Sequence, residues 1–381
     1  MEITQHTTTA PRLTIDLNAL ASNWTALRQQ SGDAECSAVI KADAYGLSIE
    51  PVAKTLSAAG CNTFFVAMLE EAIRARKTLP DARIFVLNGI LKETTQAMID
   101  YGLSPVLSSI DQIGMWMDAK SGKENAPGCA IHVDTGMNRL GLSITEAQGL
   151  GNKPELVSRI GPSLLMTHLA CADDPDHELN ALQLERFTKI AGLFPDVPAS
   201  IANTAGTLSG KKYHFDLTRP GIGIYGGEAV NFLPNPMQAV VTAEARILQI
   251  RHACKGESVG YGAAHILERD ARIAIVSAGY ADGFHRATSG SGVALRSTDV
   301  IAGCGAIGEH RVPILGRVSM DLTTFDVTDV PETILNDAEW IELFGKNSPL
   351  DDMARACGTI GYELLTGLGQ RYQRTYLGGA E

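Results

Sequence analysis

The sequence contains no run of basic residues, no two cysteines in C-x-x-C spacing and no apolar stretch longer than a strand. Each absence removes a class of function. Of 381 residues, 32 are Lys or Arg and 43 are Asp or Glu, a net charge of −11, so no nucleic-acid partner is expected. The seven cysteines (Cys36, Cys61, Cys129, Cys171, Cys254, Cys304 and Cys357) are an odd set without metal-ligand or redox spacing. They fit a reduced protein, with the cytoplasm as the expected setting and no metal expected. The apolar runs are too short to span a membrane. The opening M-E-I-T-Q-H-T-T-T-A has no apolar core and no secretion-signal pattern. Repeats and low-complexity segments are also missing, and no G-x-G-x-x-G follows the first apolar run.

What is present is alternation. Short apolar runs recur at 37–40, 64–68, 83–88, 105–107, 130–133, 164–168, 199–203 and 221–225, bounded by Gly, Asn, Asp or Pro. Such runs read as parallel strands buried on both faces. Between them lie helical patterns. S-I-E-P-V-A-K-T-L sets Val52 and Leu56 four apart, and A-L-Q-L-E-R-F-T-K-I sets Leu184, Phe187 and Ile190 three apart. Eight such units over roughly 200–250 residues predict a (β/α)8 TIM-type barrel rather than a six-stranded doubly wound sheet. Near residue 237 the pattern changes to alternating strands with Gly-rich turns, which predicts a second, mainly antiparallel β domain. The expected domains are 12–236 and 237–381, with residues 1–11 associated with the second. The strictly alternating R-L-T-I-D-L (12–17) could also add a strand to that β domain.

Lys41 ends the first predicted strand, in S-A-V-I-K-A-D-A-Y-G. Barrel active sites are built at the C-terminal ends of the strands. There a lysine in a partly apolar mouth falls below its usual pKa of about 10.4 and becomes a nucleophile able to form a Schiff base. On position alone, a lysine snorkelling out of the mouth is the commoner reading. H-V-D-T-G-M-N-R-L-G places Arg139 on a strand-end loop, suited to a carboxylate or phenolate, or equally to a surface pair with Asp134. His168 ends the sixth predicted strand. Thr204, in A-N-T-A-G, and Gly221 and Ile222, in R-P-G-I-G-I-Y-G, fall where barrels of this type hold a phosphate. In the β domain Tyr261 stands between two glycines, in V-G-Y-G.

Together, A-V-I-K-A-D-A-Y-G, D-T-G-M-N-R-L-G, T-H-L-A-C-A-D, A-N-T-A-G, R-P-G-I-G-I-Y-G, V-G-Y-G, G-Y-A-D-G-F, G-R-V-S-M-D and G-Y-E-L-L resemble the alanine racemases, in that family's order, from residue 37 to residue 365. The resemblance implies pyridoxal 5'-phosphate as cofactor and alanine as substrate. It implies a head-to-tail homodimer in which each barrel mouth is completed by the other subunit's β domain. Lys41 would carry the cofactor covalently, and Tyr45, Thr204, Gly221, Ile222 and Tyr362 would hold its phosphate. Arg219 would face the ring nitrogen, and Arg139 the phenolic oxygen and the substrate carboxylate. Met320 and Asp321 would complete the substrate site, and His168 would hydrogen-bond Tyr261. Lys41 and the partner's Tyr261 would be the two opposed bases that racemisation requires. Asp173, Arg286 and Arg317 match positions lining the channel to the site.

The sequence departs from the family's usual pattern at four places. His132 stands where a carbamylated lysine is frequent, Thr204 where Ser is common and Ser319 where Cys is frequent. A-Y-G-H-G reads A-Y-G-L-S, so the turn after Tyr45 lacks a glycine. Competing readings are a serine or broad-specificity racemase, a decarboxylase on the same barrel, and a non-enzymatic pyridoxal-phosphate carrier. Arg219 argues against the decarboxylase and the β domain against the carrier.

Overall fold

Short, largely buried runs of two to five residues become the parallel strands Thr63–Val66, Arg83–Val86, Ser104–Leu107, Cys129–His132, Pro162–Met166 and Ala199–Ser200. Each pairs in parallel with the next in chain order. The computed structural model describes residues 9–123, 125–231, 234–289 and 303–379. The first barrel strand comes in two pieces. Ala38–Val39 pairs with Thr63–Val66, and Glu35–Cys36 pairs with Leu217–Thr218. Ser37 N and Val39 N donate to Thr218 O and Pro220 O at 3.0 and 2.9 Å. Asp216 N and Arg219 N donate to Ala199 O and Ala202 O at 3.0 and 2.9 Å, which completes the ring. Its interior is aromatic in part: Phe65 stacks on Phe85 at 4.9 Å.

The eighth strand is not where the sequence placed it. Leu217–Thr218 is the strand, and Ile222–Tyr225, expected to be extended, is a 3-10 helix. The apolar run looked like a strand, but its glycines allow a tight turn that lies against Thr204 and Tyr45. The helices Ile49–Ala58 and Glu178–Ala191 form where the periodicity put them. In the second, Phe187 and Ile190 are buried, but Asn180 and Gln183, rather than Leu184, complete the buried face.

The chain divides into two compact units, one of Leu20–Gln238 and one of Ala239–Gly378 with the described residues before Leu20. The second unit is a mostly antiparallel sheet. Its strands run in the order His310–Pro313, Cys304–Ile307, Trp340–Phe344, Val241–Ala253, Arg12–Asp16, Gln373–Leu377. Ala271–Val276 joins Val241–Ala253 to Thr323–Asp326. Arg12–Asp16, inside the expected 12–236 segment but also read from its alternation as a strand of the β domain, lies in this sheet with Leu13 and Ile15 buried. Among the described residues no helix is long and apolar enough to cross a membrane, and no cluster of His, Cys, Asp and Glu could hold a metal ion. All seven cysteines are free thiols.

Candidate active site

Lys41 follows directly on the first barrel strand, and the backbone after it is unusual. Ala42, Asp43, Ala44 and Tyr45 have φ of 54°, 53°, 54° and 55°, one turn of left-handed helix without a glycine. Each L-residue in that conformation costs roughly 1–2 kcal/mol. The turn is held by Ala44 N→Ile40 O at 3.0 Å, Gly46 N→Ala42 O at 2.8 Å and Ser48 N→Asp43 O at 2.9 Å. Asp43 Oδ1 accepts the Ile49 N–H at 3.0 Å and pairs with Arg74 at 2.9 Å. Ser48, where the family usually has glycine, keeps a glycine-like φ of 74°. The turn leaves Lys41 half-buried and buries Tyr45, whose ring stacks on Tyr225 at 4.4 Å. Burial lowers the Lys41 pKa from its ordinary value; Arg139 lowers it further and Glu71 opposes.

The seventh and eighth strand ends meet this turn. Asn203 caps helix Thr204–Leu208 by accepting the Gly206 N–H at 2.9 Å. Thr204 Oγ1 accepts the Gly221 N–H at 2.8 Å. A Cβ on Gly221 would collide with the Tyr45 hydroxyl, so the backbone there approaches as closely as only glycine permits. The methyl that distinguishes Thr204 from serine fills the space beside Gly223, where a Cβ would sit 2.6 Å from it. Ile222 opens the 3-10 helix, so its N–H has no acceptor within that helix. Two hydroxyls and two backbone N–H groups thus gather next to the lysine turn.

Cations and neutral imidazoles fill the rest of this end of the barrel. The buried Arg219 guanidinium donates to Thr167 O at 2.6 Å and to Ser200 Oγ. It lies 6.0 Å from the Phe65 ring, and burial pushes it down to about 9. His168 is driven well below its ordinary value by burial, with Arg219, Arg139, Lys41 and His132 all adding to the effect. His132 is lowered to about 4, first by burial and then by Arg219 and Arg139, so it is a neutral imidazole near pH 7. Its Nδ1 lies 3.5 Å from Ser108 Oγ. Arg139 is exposed on the loop after the fifth strand. Asp134 accepts the Gly136 and Met137 N–H groups at 2.8 Å each, so its carboxylate caps that loop. Burial pushes the Asp134 carboxyl up, but backbone donors at Gly136, Asn138, Met137 and Arg139 outweigh it and hold it below the usual range.

The barrel unit therefore brings together Lys41, Tyr45, Arg139, His168, Thr204, Arg219, Gly221 and Ile222. The β unit carries the others. Tyr261 is 72% exposed at the tip of the hairpin Ser258–Val259/His265–Ile266, between glycines whose φ values are 75° and 71°. Arg317 lies against that tip, 3.0 Å from where a Gly262 Cβ would be. Met320 is 54% exposed, and its carbonyl accepts the Ala281 N–H at 3.0 Å. Asp321 pairs with Arg371 at 2.8 Å, and Arg371 grips the buried Asp282 at 2.7 and 2.8 Å. Tyr362 lies in helix Gly361–Thr366, and Arg286 opens the 3-10 turn Arg286–Thr288. In the barrel unit, Asp173 accepts from Asn231 Nδ2 at 3.0 Å.

Sequence reasoning missed three polar residues that organise these loops: Glu71, Gln183 and Arg371. Gln183 donates to Thr135 Oγ1 at 3.2 Å and His168 O at 2.9 Å, and accepts from Ala170 N at 2.9 Å. Its place on the helix face shared with Phe187 and Ile190 was the available signal. Glu71 sat at an ordinary helix start, and Arg371 in a strand-like tail.

Comparison with known proteins adds an independent line. The family model for the alanine racemase N-terminal domain matches residues 15–229, and that for the alanine racemase C-terminal domain matches 240–376. The chain is 50% identical over 380 residues to an alanine racemase of Rhizobium meliloti (strain 1021), covering 100% of both chains. It is 50% identical over 366 residues to a biosynthetic alanine racemase of Agrobacterium fabrum, covering 96% of this chain and 93% of that one. The alanine racemase of Bartonella henselae, solved with covalently bound pyridoxal phosphate, superposes with a TM-score of 0.87 at 36% identity, over 97% of this chain and 100% of that one. With both halves matched in order and half the residues shared along its whole length, the chain belongs to the alanine racemase family.

Proposed function

We propose that Lys41 and Tyr261, the latter from a second copy of the chain, are the two bases of a pyridoxal-phosphate-dependent alanine racemase. The activity is the family's, interconversion of L- and D-alanine with pyridoxal phosphate. The observation that carries the assignment is Lys41 itself. It is a strand-end lysine, half-buried and lowered in pKa, beside a cradle of hydroxyl and N–H donors.

The residues present fit the cofactor. The Gly221 N–H is engaged by Thr204, and the close approach at Gly221 sets the Tyr45 and Thr204 hydroxyls and the Ile222 N–H around one spot as donors for a phosphate, with the Gly221 backbone forming its wall. When bound, pyridoxal phosphate supplies a conjugated ring that acidifies the proton on the substrate α-carbon. Lys41 Nζ, more readily neutral because of its burial, takes or returns that proton on one face. Tyr261 Oη of the partner subunit does so on the other. That phenol must lose a proton whose ordinary pKa is about 10, and a hydrogen bond from the neutral His168 imidazole would steady the phenolate. Arg139 and the N–H of the partner subunit's Met320 would bind the substrate carboxylate, with the partner's Asp321 beside it. Arg219 would face the ring nitrogen, where a guanidinium, even lowered to about 9, holds its proton far more tightly than a carboxylic acid does. That choice favours racemisation over decarboxylation.

A second copy is the partner that the exposed residues suit. Tyr261 and Met320 stand out from the β unit, while Met68 and Leu91, after the second and third barrel strands, and Ile110, which opens the helix after the fourth, are exposed apolar side chains. Free thiols at all seven cysteines suit a reducing compartment, the cytoplasm. Incubation of the protein with L-alanine in deuterated water tests the reaction. Loss of optical rotation with α-deuteration is expected; carbon dioxide release, or cofactor uptake without exchange, would overturn it.

A further inference from the structure

Glu71 is buried at the third position of helix Leu69–Thr78, directly after the second barrel strand, and its two oxygens face different loops. Oε2 accepts the Ala67 and Met68 N–H groups at 2.8 and 3.2 Å, which closes the start of its own helix. Oε1 accepts the Asp43 N–H at 3.1 Å, in the middle of the left-handed turn that follows Lys41. The first contact is a common helix-capping device. The second is not, because it joins two neighbouring strand-end loops through one buried carboxylate.

We propose that Glu71 is a positioning residue that holds the left-handed turn and so aims Lys41 and Tyr45 at the cofactor. The inference rests on the reading of Lys41 and Tyr45 as cofactor-holding residues. The turn has four consecutive non-glycine residues at positive φ and would relax to a right-handed or extended path without a tether. Relaxation would rotate Lys41 at one end and carry the Tyr45 hydroxyl away from Gly221 at the other. Outside the turn, Arg74 supports Asp43 through an exposed pair, a weaker hold than a buried hydrogen bond. Glu71 also acts on Lys41 through charge. Of the groups that influence this lysine, Glu71 favours its protonated form, while Arg139 disfavours it and His168 lies close by.

The test measures pyridoxal phosphate binding to the apoprotein by fluorescence quenching, with melting followed in parallel. Glu71→Asp keeps a carboxylate near Ala67 and Met68 but is too short to span to Asp43. It is expected to melt near wild type and to bind the cofactor at least tenfold more weakly. Glu71→Gln is expected to weaken binding similarly, since one amide cannot accept from both loops. Ala42→Gly removes part of the strain, because glycine adopts positive φ freely. Combined with either Glu71 variant it should recover binding to within about threefold of wild type, a rescue that loss of helix capping would not give. Binding by Glu71→Asp within twofold of wild type, or no recovery with Ala42→Gly, overturns the proposal. Wild-type protein that takes up no pyridoxal phosphate overturns both this and the functional reading. Wild type that binds it but does not racemise alanine overturns the functional reading alone.

Discussion

The Thr204 hydroxyl accepts the Gly221 N–H at 2.8 Å, across a gap in which residue 221 has no room for a side chain. With its lone pair engaged, the hydroxyl proton is free to point at a phosphate oxygen. Thr204→Val should therefore weaken pyridoxal phosphate binding about 10- to 100-fold, since a hydrogen bond to a charged group contributes roughly 1.5–3 kcal/mol. Thr204→Ser should stay within a few-fold of wild type. Titration of the apoprotein with the cofactor decides it, and equal affinity in the valine variant would remove Thr204 from the cradle.

Ser48 carries φ 74°, a conformation that glycine adopts without strain. Ser48→Gly should stabilise the protein by about 1 kcal/mol, the relief of strain being partly offset by greater freedom in the unfolded chain. The denaturation midpoint should rise without a change in slope. A fall would mean that the hydroxyl contributes more than the backbone costs.

Burial holds His132 at about 4 in the folded protein against 6.5 for the free side chain. Between those values the unfolded chain binds a proton that the folded one refuses. Stability is therefore full above pH 6.5 and is lost as pH falls toward 4, by roughly 3 kcal/mol for this residue. His168 shifts in the same direction and adds to the loss. Urea unfolding at pH 7.5 and pH 5 should show the drop, and His132→Asn should make it smaller. The same drop in the variant would place its origin elsewhere.

Tyr261→Phe should impair proton removal from one enantiomer far more than from the other, as read from deuterium exchange into each. Lys41→Ala should be inactive. Mixed after dissociation, the two variants should regain activity, up to about a quarter of wild type, because each mixed dimer would hold one intact site. No recovery in a mixture verified to contain mixed dimers would show that each site draws both bases from one chain.

The barrel was legible because buried parallel strands are short, apolar and bounded by turn residues, and Val, Ile and Phe supply that signal at Thr63–Val66 and Arg83–Val86. The eighth strand was misplaced because Leu217–Thr218 is only two residues long and the glycine-rich segment after it is more apolar. Lys41 was legible by its place at a strand end. The left-handed path beyond it was not, since A-D-A-Y gives no local reason for positive φ; distant Glu71 provides one. Arg371 was hidden for the same reason, as its acceptor Asp282 lies 89 residues away in sequence.

The ring closes between its first and last strands, where Ser37 Oγ donates to Thr218 O across 181 residues of sequence. The phosphate cradle proposed above lies along this same seam, with Tyr45 on one side and Gly221 on the other. A chain emerging from the ribosome cannot assemble the cradle until the segment around Gly221 has been made and has docked. A cofactor held by the proposed cradle would therefore be captured late in barrel folding and would act as a rivet across the joint. Its binding energy resists the opening of the first strand from the eighth, so cofactor starvation should expose the barrel to proteolysis at that joint first.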